Sequence, residues 1–251
     1  MTWKRGFMCS SFEITIPVLN EELHLVPKVE EVLNFLLPQY SYGIHWSVVI
    51  ADNGSTDKTS ELSGNMVRQY NGLVKYIRLD ERGVGRALKA SWSQSTADIV
   101  GFFDLDLATD LNHIPQAISI LMEQDYDIVY GTRLHKRSKV IGRSLKREVT
   151  SRIFNLILQA YLNVNLSDGM CGFKFLKRSI VDDLLKHGAV SDGWFFSTEL
   201  LVVSETRGYK MYELPVIWTD SHDSEARIFS LTVEYLGAMR ALKQLTSRND
   251  T

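Results

Sequence analysis

Three short sets of residues in this 251-residue chain have the types and spacing to do chemistry. The first is Asp104-Leu105-Asp106, which abruptly ends the apolar run Ile99 to Phe103. That run has the length of a buried strand, and open α/β sheets bind ligands beyond the carboxyl ends of their strands. Two carboxylates one residue apart are costly to leave unpaired there, so they call for a cation. Hard oxygen ligands suit Mg2+ or Mn2+, which in turn suit a diphosphate. An isolated Asp-x-Asp is more often a polar strand exit, so the rest of the chain must decide. The second is Asp52, placed to accept a hydrogen bond from a base or ribose hydroxyl; a turn-forming Asp beside Asn53-Gly54 is the alternative. The third is Arg82-Gly83-Val84-Gly85-Arg86. Its backbone and guanidinium groups could wrap phosphate, or it could be a plain turn, since the third glycine of the dinucleotide fingerprint is missing. Asp168 and Glu199 are candidate acid/base or positioning carboxylates, with a structural role the default. His24, His113 and His222 receive no chemical role; solvated or capping histidines are the default.

The elements that must position these groups alternate. Phe12 to Leu19 reads as a strand, with Pro17 at its exit. Asn20-Glu21-Glu22 starts an apolar-periodic helix that Pro38 ends. A strand from Trp46 to Ala51 runs into Asp52, and Ser55, Thr56 or Asp57 is placed to cap the next helix. A strand from Val74 to Leu79, a helix from near Ala87 and the strand Ile99 to Phe103 follow. This alternation predicts an α/β fold with a mostly parallel central sheet covered by helices on both faces. Asp127 to Gly131 joins the sheet. Ile153 to Leu166 reads as an amphipathic helix, Glu199 to Val203 as helical, Met211 to Trp218 as one strand, and Ile228 to Leu245 as a closing amphipathic helix. With no linker, repeat or low-complexity segment, a single domain is expected.

Composition excludes several classes. Hydrophobic residues make up 45% and charged residues 23%, with a net charge of −2, as in ordinary soluble globular proteins. Only Cys9 and Cys171 occur, which argues against a disulfide framework or a Cys-rich zinc site and suggests a reducing compartment. Met1 to Ser10 lacks the apolar core of a signal peptide, and no run approaches the roughly 18 apolar residues that span a bilayer. A soluble or peripherally attached cytoplasmic protein is expected. Arg133, Lys136, Arg137, Lys139, Arg143, Lys146, Arg147 and Arg152 crowd one stretch against the single acid Glu148. A solvated face is the usual meaning of such a run. Nucleic acid is disfavoured, because aromatic residues are absent from it. An anionic membrane surface is favoured, because an amphipathic helix follows at once.

Taken in order, Ile16-Pro17-Val18-Leu19-Asn20-Glu21-Glu22, Ala51-Asp52-Asn53-Gly54-Ser55-Thr56-Asp57, Gly83-Val84-Gly85-Arg86-Ala87 and Asp104-Leu105-Asp106 resemble the family 2 glycosyltransferases of GT-A fold. Gly131-Thr132-Arg133, Arg147 with Ser151, Asp168 to Lys174 and Trp194 to Leu201 are similar to the polyprenyl-phosphate branch, which includes dolichyl-phosphate mannose and glucose synthases. The resemblance covers about residues 12–228. It implies a nucleotide-sugar-binding half over about 12–130, an acceptor half over about 131–228 and a C-terminal amphipathic helix over 228–247. By the same resemblance, Pro17, Leu19, Glu21 and Asp52 line the nucleotide pocket, with Gly83, Arg86 and Arg227 near the donor. Asp104 and Asp106 hold the metal and diphosphate. Arg133, Arg147 and Ser151 hold the acceptor's phosphate. The chain has Ala108 where mannose synthases have Gln, which tilts the donor toward a UDP-sugar. It has Ser197 where relatives often have Asp, and Leu19 where they often have Tyr.

The implied activity is metal-dependent, inverting transfer of a hexose to a polyprenyl phosphate, with Mg2+ or Mn2+ as cofactor. A lipid phosphate needs no strong base, whereas a soluble hydroxyl acceptor would make Glu199 or Asp168 essential. A nucleotidyltransferase is disfavoured, because the first strand leads into Pro17-Val18-Leu19-Asn20-Glu21 and not into a glycine-rich, Arg-containing loop. A non-catalytic nucleotide-binding or membrane-scaffold module is the alternative from another class, and the intact Asp pair argues against it.

Overall fold

The computed structural model describes residues 11–40, 43–220 and 228–248. In chain order the elements are β1 (Ser11–Val18), α1 (Leu25–Leu36), β2 (His45–Asp52), α2 (Thr59–Gln69), β3 (Val74–Arg78), α3 (Val84–Gln94), β4 (Ile99–Phe103), α4 (His113–Glu123) and β5 (Ile128–Thr132). Then come β6 (Lys139–Ile141), α5 (Leu145–Leu162), β7 (Phe173–Lys177), α6 (Arg178–Lys186), α7 (Phe196–Thr206), β8 (Met211–Pro215), β9 (Ile217–Thr219) and α8 (Ile228–Arg248).

Seven strands form one sheet in the order β3-β2-β1-β4-β7-β5-β8, and only β7 runs antiparallel to its neighbours. Side chains alternate across each strand, and the sheet separates two apolar cores. Ile99 and Phe103 face the core filled by α1 and α4, while Val100 and Phe102 face that of α3, α6 and α7. Burial on both faces explains why β4 reads as a continuous apolar run. At Gly101 the β4 backbone lies so close to the Phe175 ring that a Cβ would fall 2.2 Å from it. The chain leaves β1 in one direction through β2 and β3, then returns to its other side with β4. The crevice at that reversal is where such sheets bind ligands.

Several expectations are corrected. The helix expected to begin at Asn20 begins at Leu25, and Asn20 itself adopts φ +56° at the turn. The strand expected over Met211 to Trp218 is broken after Pro215 into β8 and β9, and β9 leaves the main sheet to pair with β6. The helix expected over Ile153 to Leu166 begins at Leu145, where the Ser144 hydroxyl accepts the Arg147 N–H, and ends at Asn163 in left-handed conformation. Much of the basic stretch therefore lies on α5.

Candidate active site

The β1–α1 and β2–α2 loops are tied together beside the crevice. Asp52 is fully buried at the end of β2; its Oδ1 accepts from the Ser55 N–H at 2.8 Å and its Oδ2 from the Tyr76 hydroxyl at 2.9 Å. Arg78 approaches Oδ2 at 3.6 Å. The Asn20 N–H donates to Ser55 Oγ, the Glu21 N–H to Thr59 Oγ1 and the Glu22 N–H to Asp57 Oδ2. Pro17 is buried in β1 beside Ala51, and Leu19 is half-buried at the loop's start. The structure thus groups Pro17, Leu19, Glu21 and Asp52 at one end of the sheet. Asp52 is an anchored carboxylate with Tyr76 as a partner that no sequence motif signalled.

Asp104 follows β4 directly. Its carbonyl accepts the Leu107 N–H, Leu107 takes φ +55°, and Asp106 Oδ1 accepts the Ala108 N–H at 3.0 Å. The loop is then pinned by β9: Thr219 donates to Ala108 O, and Asp110 donates to Ile217 O. His113 serves this clamp, its Nε2 accepting the Ile217 N–H at 2.9 Å. Burial, and after it the Asp106 charge, pushes the Asp104 carboxyl up to about 7, although Lys174 and Arg133 pull the other way. Burial also raises Glu21, with Asp106 and Asp57 adding to the effect and His24 opposing it. Asp104 Oδ1 is enclosed and has no hydrogen-bond partner. A buried acceptor without a donor is unfavourable, and a divalent cation relieves both that deficit and the repulsion between the two carboxylates. The donor set fits Mg2+ or Mn2+. Among the described residues no group of three His, Cys, Asp or Glu side chains forms a closed cage, so diphosphate oxygens and water would complete the coordination.

The loop before β7 meets this corner from the other side. A Cβ on Gly172 would lie 2.1 Å from Asp104 Oδ2. Asp168 clamps Arg133 through Nε at 2.8 Å, Nη2 at 2.9 Å and the Arg133 N–H at 3.0 Å. Arg133 also stacks on Trp218, 4.9 Å from the ring centroid. Burial alone would raise Asp168, but the Arg133 charge and hydrogen bonds outweigh it and hold the carboxyl below its usual range. Lys174 is fully buried, donates to Cys171 O at 2.6 Å and is brought down to about 8 by burial. On α5, Arg147 pairs with Asp220 at 2.7 Å, and Ser151 Oγ accepts from Arg143. Arg147 and Ser151 therefore lie on one helix, while Arg133 is committed to Asp168. Asp220 escaped the sequence reading, which named Arg143 only within the basic stretch and Lys174 only within the motif that begins at Asp168.

The glycine pair at 83 and 85 has a packing role. A Cβ at Gly83 would fall 2.3 Å from Asp192 O, and one at Gly85 would fall 2.3 Å from Ser191 O. The N–H groups expected to wrap phosphate donate to protein instead, Gly85 to Gly193 O and Arg86 to Asp192 O. Arg86 pairs through its side chain with Glu81 and Asp192. Glu199, buried at the start of α7, accepts from both the N–H and the hydroxyl of Ser191. Burial raises it, and the Ser191 bonds partly offset that. Arg227 lies outside the described residues.

A family model, Glycosyl transferase family 2, matches residues 13–185. The chain belongs to that family. This family 2 glycosyltransferase is 29% identical over 242 residues to the glycosyltransferase AglD of Haloferax volcanii, covering 94% of this chain and 37% of AglD. It is 28% identical over 221 residues to the dolichyl-phosphate beta-glucosyltransferase ALG5A of Trichomonas vaginalis, covering 86% of this chain and 68% of that protein. The chain thus spans little more than a third of AglD. Its fold is GT-A, similar to glucosyl-3-phosphoglycerate synthase of Mycobacterium tuberculosis. The complex of that enzyme with uridine diphosphate superposes with a TM-score of 0.65 at 19% identity, covering 98% of this chain and 87% of that one. Its complex with Mn2+, uridine diphosphate and phosphoglyceric acid gives 0.66 at 17%, covering 98% and 85%.

Proposed function

We propose that this glycosyltransferase moves a hexose from a UDP-sugar to a polyprenyl phosphate with inversion at the anomeric carbon. The observation that carries the choice of acceptor is the state of the two carboxylates a hydroxyl acceptor would need. Asp168 is locked to Arg133 with its carboxyl held low, and both oxygens of Glu199 accept from Ser191. Neither is placed as a free base, and in this reading Arg147, which pairs with Asp220, and Ser151, which accepts from Arg143, take the phosphate. A phosphate monoester with a second pKa of about 6 is already a nucleophile near neutral pH. The named dolichyl-phosphate relative supports the same acceptor.

In this reading Asp104 and Asp106 would hold Mg2+ or Mn2+, which would neutralise charge on the departing nucleoside diphosphate. Asp52 and the loop from Leu19 to Glu21 hold the nucleoside. Arg147 and Ser151 orient the acceptor phosphate, one of whose oxygens attacks the anomeric carbon opposite the departing nucleoside diphosphate. The new C–O bond forms as the bond to the diphosphate breaks, and no proton has to be removed. Positioning of two anionic reactants supplies most of the rate gain. Incubation of the protein with UDP-glucose, other UDP-sugars or GDP-mannose, Mn2+ and a short prenyl phosphate is expected to give a glycolipid. Arg147→Ala is expected to abolish it while Glu199→Gln leaves turnover measurable. The reverse pattern would point to a hydroxyl acceptor, and no glycolipid with any donor would overturn the reading.

The same reading places the protein peripherally at the cytoplasmic face of a membrane. Leu145, Val149, Ile153, Leu156 and Ile157 form an exposed stripe on α5, with Leu145 at 84% and Leu156 at 63% exposure. Exposed Lys146 and Arg152 lie on the same helix, and α8 packs alongside through Tyr235 and Phe154, ring centroids 5.7 Å apart. Among the described residues no helix is long and apolar enough to cross a membrane. An apolar stripe accompanied by cations suits the surface of an anionic bilayer. Sedimentation with vesicles containing phosphatidylglycerol is expected to carry the protein down, and Ile153→Glu to release it. Equal recovery with neutral vesicles would argue against charge-guided attachment.

A further inference from the structure

Arg143 belongs to none of the motifs that mark the site, yet its side chain is only 7% exposed and it sits among the acceptor residues. Its Nη2 donates to Ser151 Oγ and lies 3.5 Å from Arg147 O. Its Nη1 is enclosed and pairs with a Glu148 carboxylate oxygen at 3.2 Å in a geometry that makes no hydrogen bond. Glu148 is in turn shared with Arg152, which takes its other oxygen at 2.7 Å. A guanidinium carries five donors in a fixed plane and suits two-point capture of phosphate. A buried donor that meets its charge partner without hydrogen-bond geometry is less well satisfied than one that makes the bond.

The surroundings carry charge of both signs. Burial, and then the Arg133 charge, lowers Arg143 from its ordinary value. Glu148, Asp168 and Asp220 oppose that shift, so carboxylates already face this guanidinium and a phosphate would have to share it with Glu148. Ser151, already named for the acceptor, is the residue Arg143 grips, so any phosphate reaching Ser151 comes within reach of Arg143.

We propose that Arg143 contacts the acceptor's phosphate, its guanidinium donating to a terminal oxygen of a phosphate monoester held also by Arg147 and Ser151. The inference rests on the phosphate-acceptor reading above and adds to it the guanidinium that fixes the acceptor's end group. Glu148 is the placeholder partner, holding Arg143 in plane until the phosphate arrives. Removing its charge leaves the guanidinium in place through Ser151.

Binding of a short prenyl phosphate, and separately of inorganic phosphate, is measured by calorimetry for the wild-type chain, Arg143→Met, Arg143→Lys and Glu148→Gln. Arg143→Met is expected to weaken binding of both probes at least tenfold, and Arg143→Lys to recover part of that loss. Glu148→Gln is expected to bind at least as well as wild type. In turnover assays the acceptor KM should rise at least tenfold in Arg143→Met while the donor KM stays within about twofold. A general loss of structure would instead raise both constants and lower the melting temperature of both arginine variants. Equal phosphate binding by wild type and Arg143→Met would overturn the inference, as would donor and acceptor constants that rise together. A wild-type chain that binds the prenyl phosphate but forms no glycolipid would overturn the proposed function, while the contrast at Arg143 would still stand or fall on the binding data. Failure of the wild-type chain to bind either probe would sink both.

Discussion

Gly172→Ala is expected to cut turnover by roughly a hundredfold, the cost of displacing a reacting group by about an ångström, while leaving the protein folded. The added Cβ would fall 2.1 Å from Oδ2 and 2.8 Å from Cγ of Asp104. No real Cβ tolerates such a contact, so either the carboxylate swings away or the start of β7 shifts. Phe173, next in the chain, is packed in the core and in register with Phe103, so the carboxylate is the part that yields. Calorimetry should show UDP binding that no longer responds to Mn2+, with far-ultraviolet circular dichroism unchanged. Asp104→Asn gives the comparison, because it removes the charge without adding bulk and should lose the same metal response. Wild-type turnover in Gly172→Ala would show that the position of Asp104 does not matter to the reaction.

Asp168→Asn should be the most destabilising single change among residues 131–220. The pair it breaks is buried, with the Asp168 side chain 3% and the Arg133 side chain 12% exposed. Removing one partner leaves a guanidinium without its counter-charge, which costs roughly 3–5 kcal/mol. For a chain of this size that corresponds to a fall in melting temperature of about 10 °C. The carboxyl is held low by Arg133, so its contribution to stability is present at neutral pH and fades as acid protonates it. The double variant Asp168→Asn with Arg133→Met, which removes both charges, should recover part of the loss. A single variant that melts within about 2 °C of wild type would mean that solvent reaches Arg133 after all.

The donor side was the more legible part of the sequence. Ile99 to Phe103 is apolar because both sheet faces are covered, and such a run needs no partner to be recognised. Asp104 and Asp52 were found because polar residues that end buried strands stand out. By contrast β6 and β9 have three residues each, and each exists only because the other lies beside it. The early start of α5 was hidden by Lys146, Arg147 and Glu148, whose charges mask the stripe of Leu145, Val149 and Ile153. The pairing of Arg133 with Asp168 spans 35 residues of chain and depends on β7 folding back. Gly83 and Gly85 were marked as special residues, but the cause is a neighbouring loop from Ser191 to Gly193 that local spacing does not disclose.

The direction of β7 has a consequence for how such an enzyme is built. Because it enters the sheet antiparallel between β4 and β5, its beginning lies at the finish of β4, and the loop carrying Asp168 and Gly172 arrives beside Asp104. A piece cut after β5 would lose the hydrogen-bonded neighbour that separates β4 from β5, leaving bare backbone in the middle of the sheet and inviting aggregation. The segments before and after β5 therefore do not form interchangeable cassettes. A graft that aims to change the acceptor while keeping the donor must carry this strand and its preceding loop as one piece, together with the Asp104 corner they were shaped against.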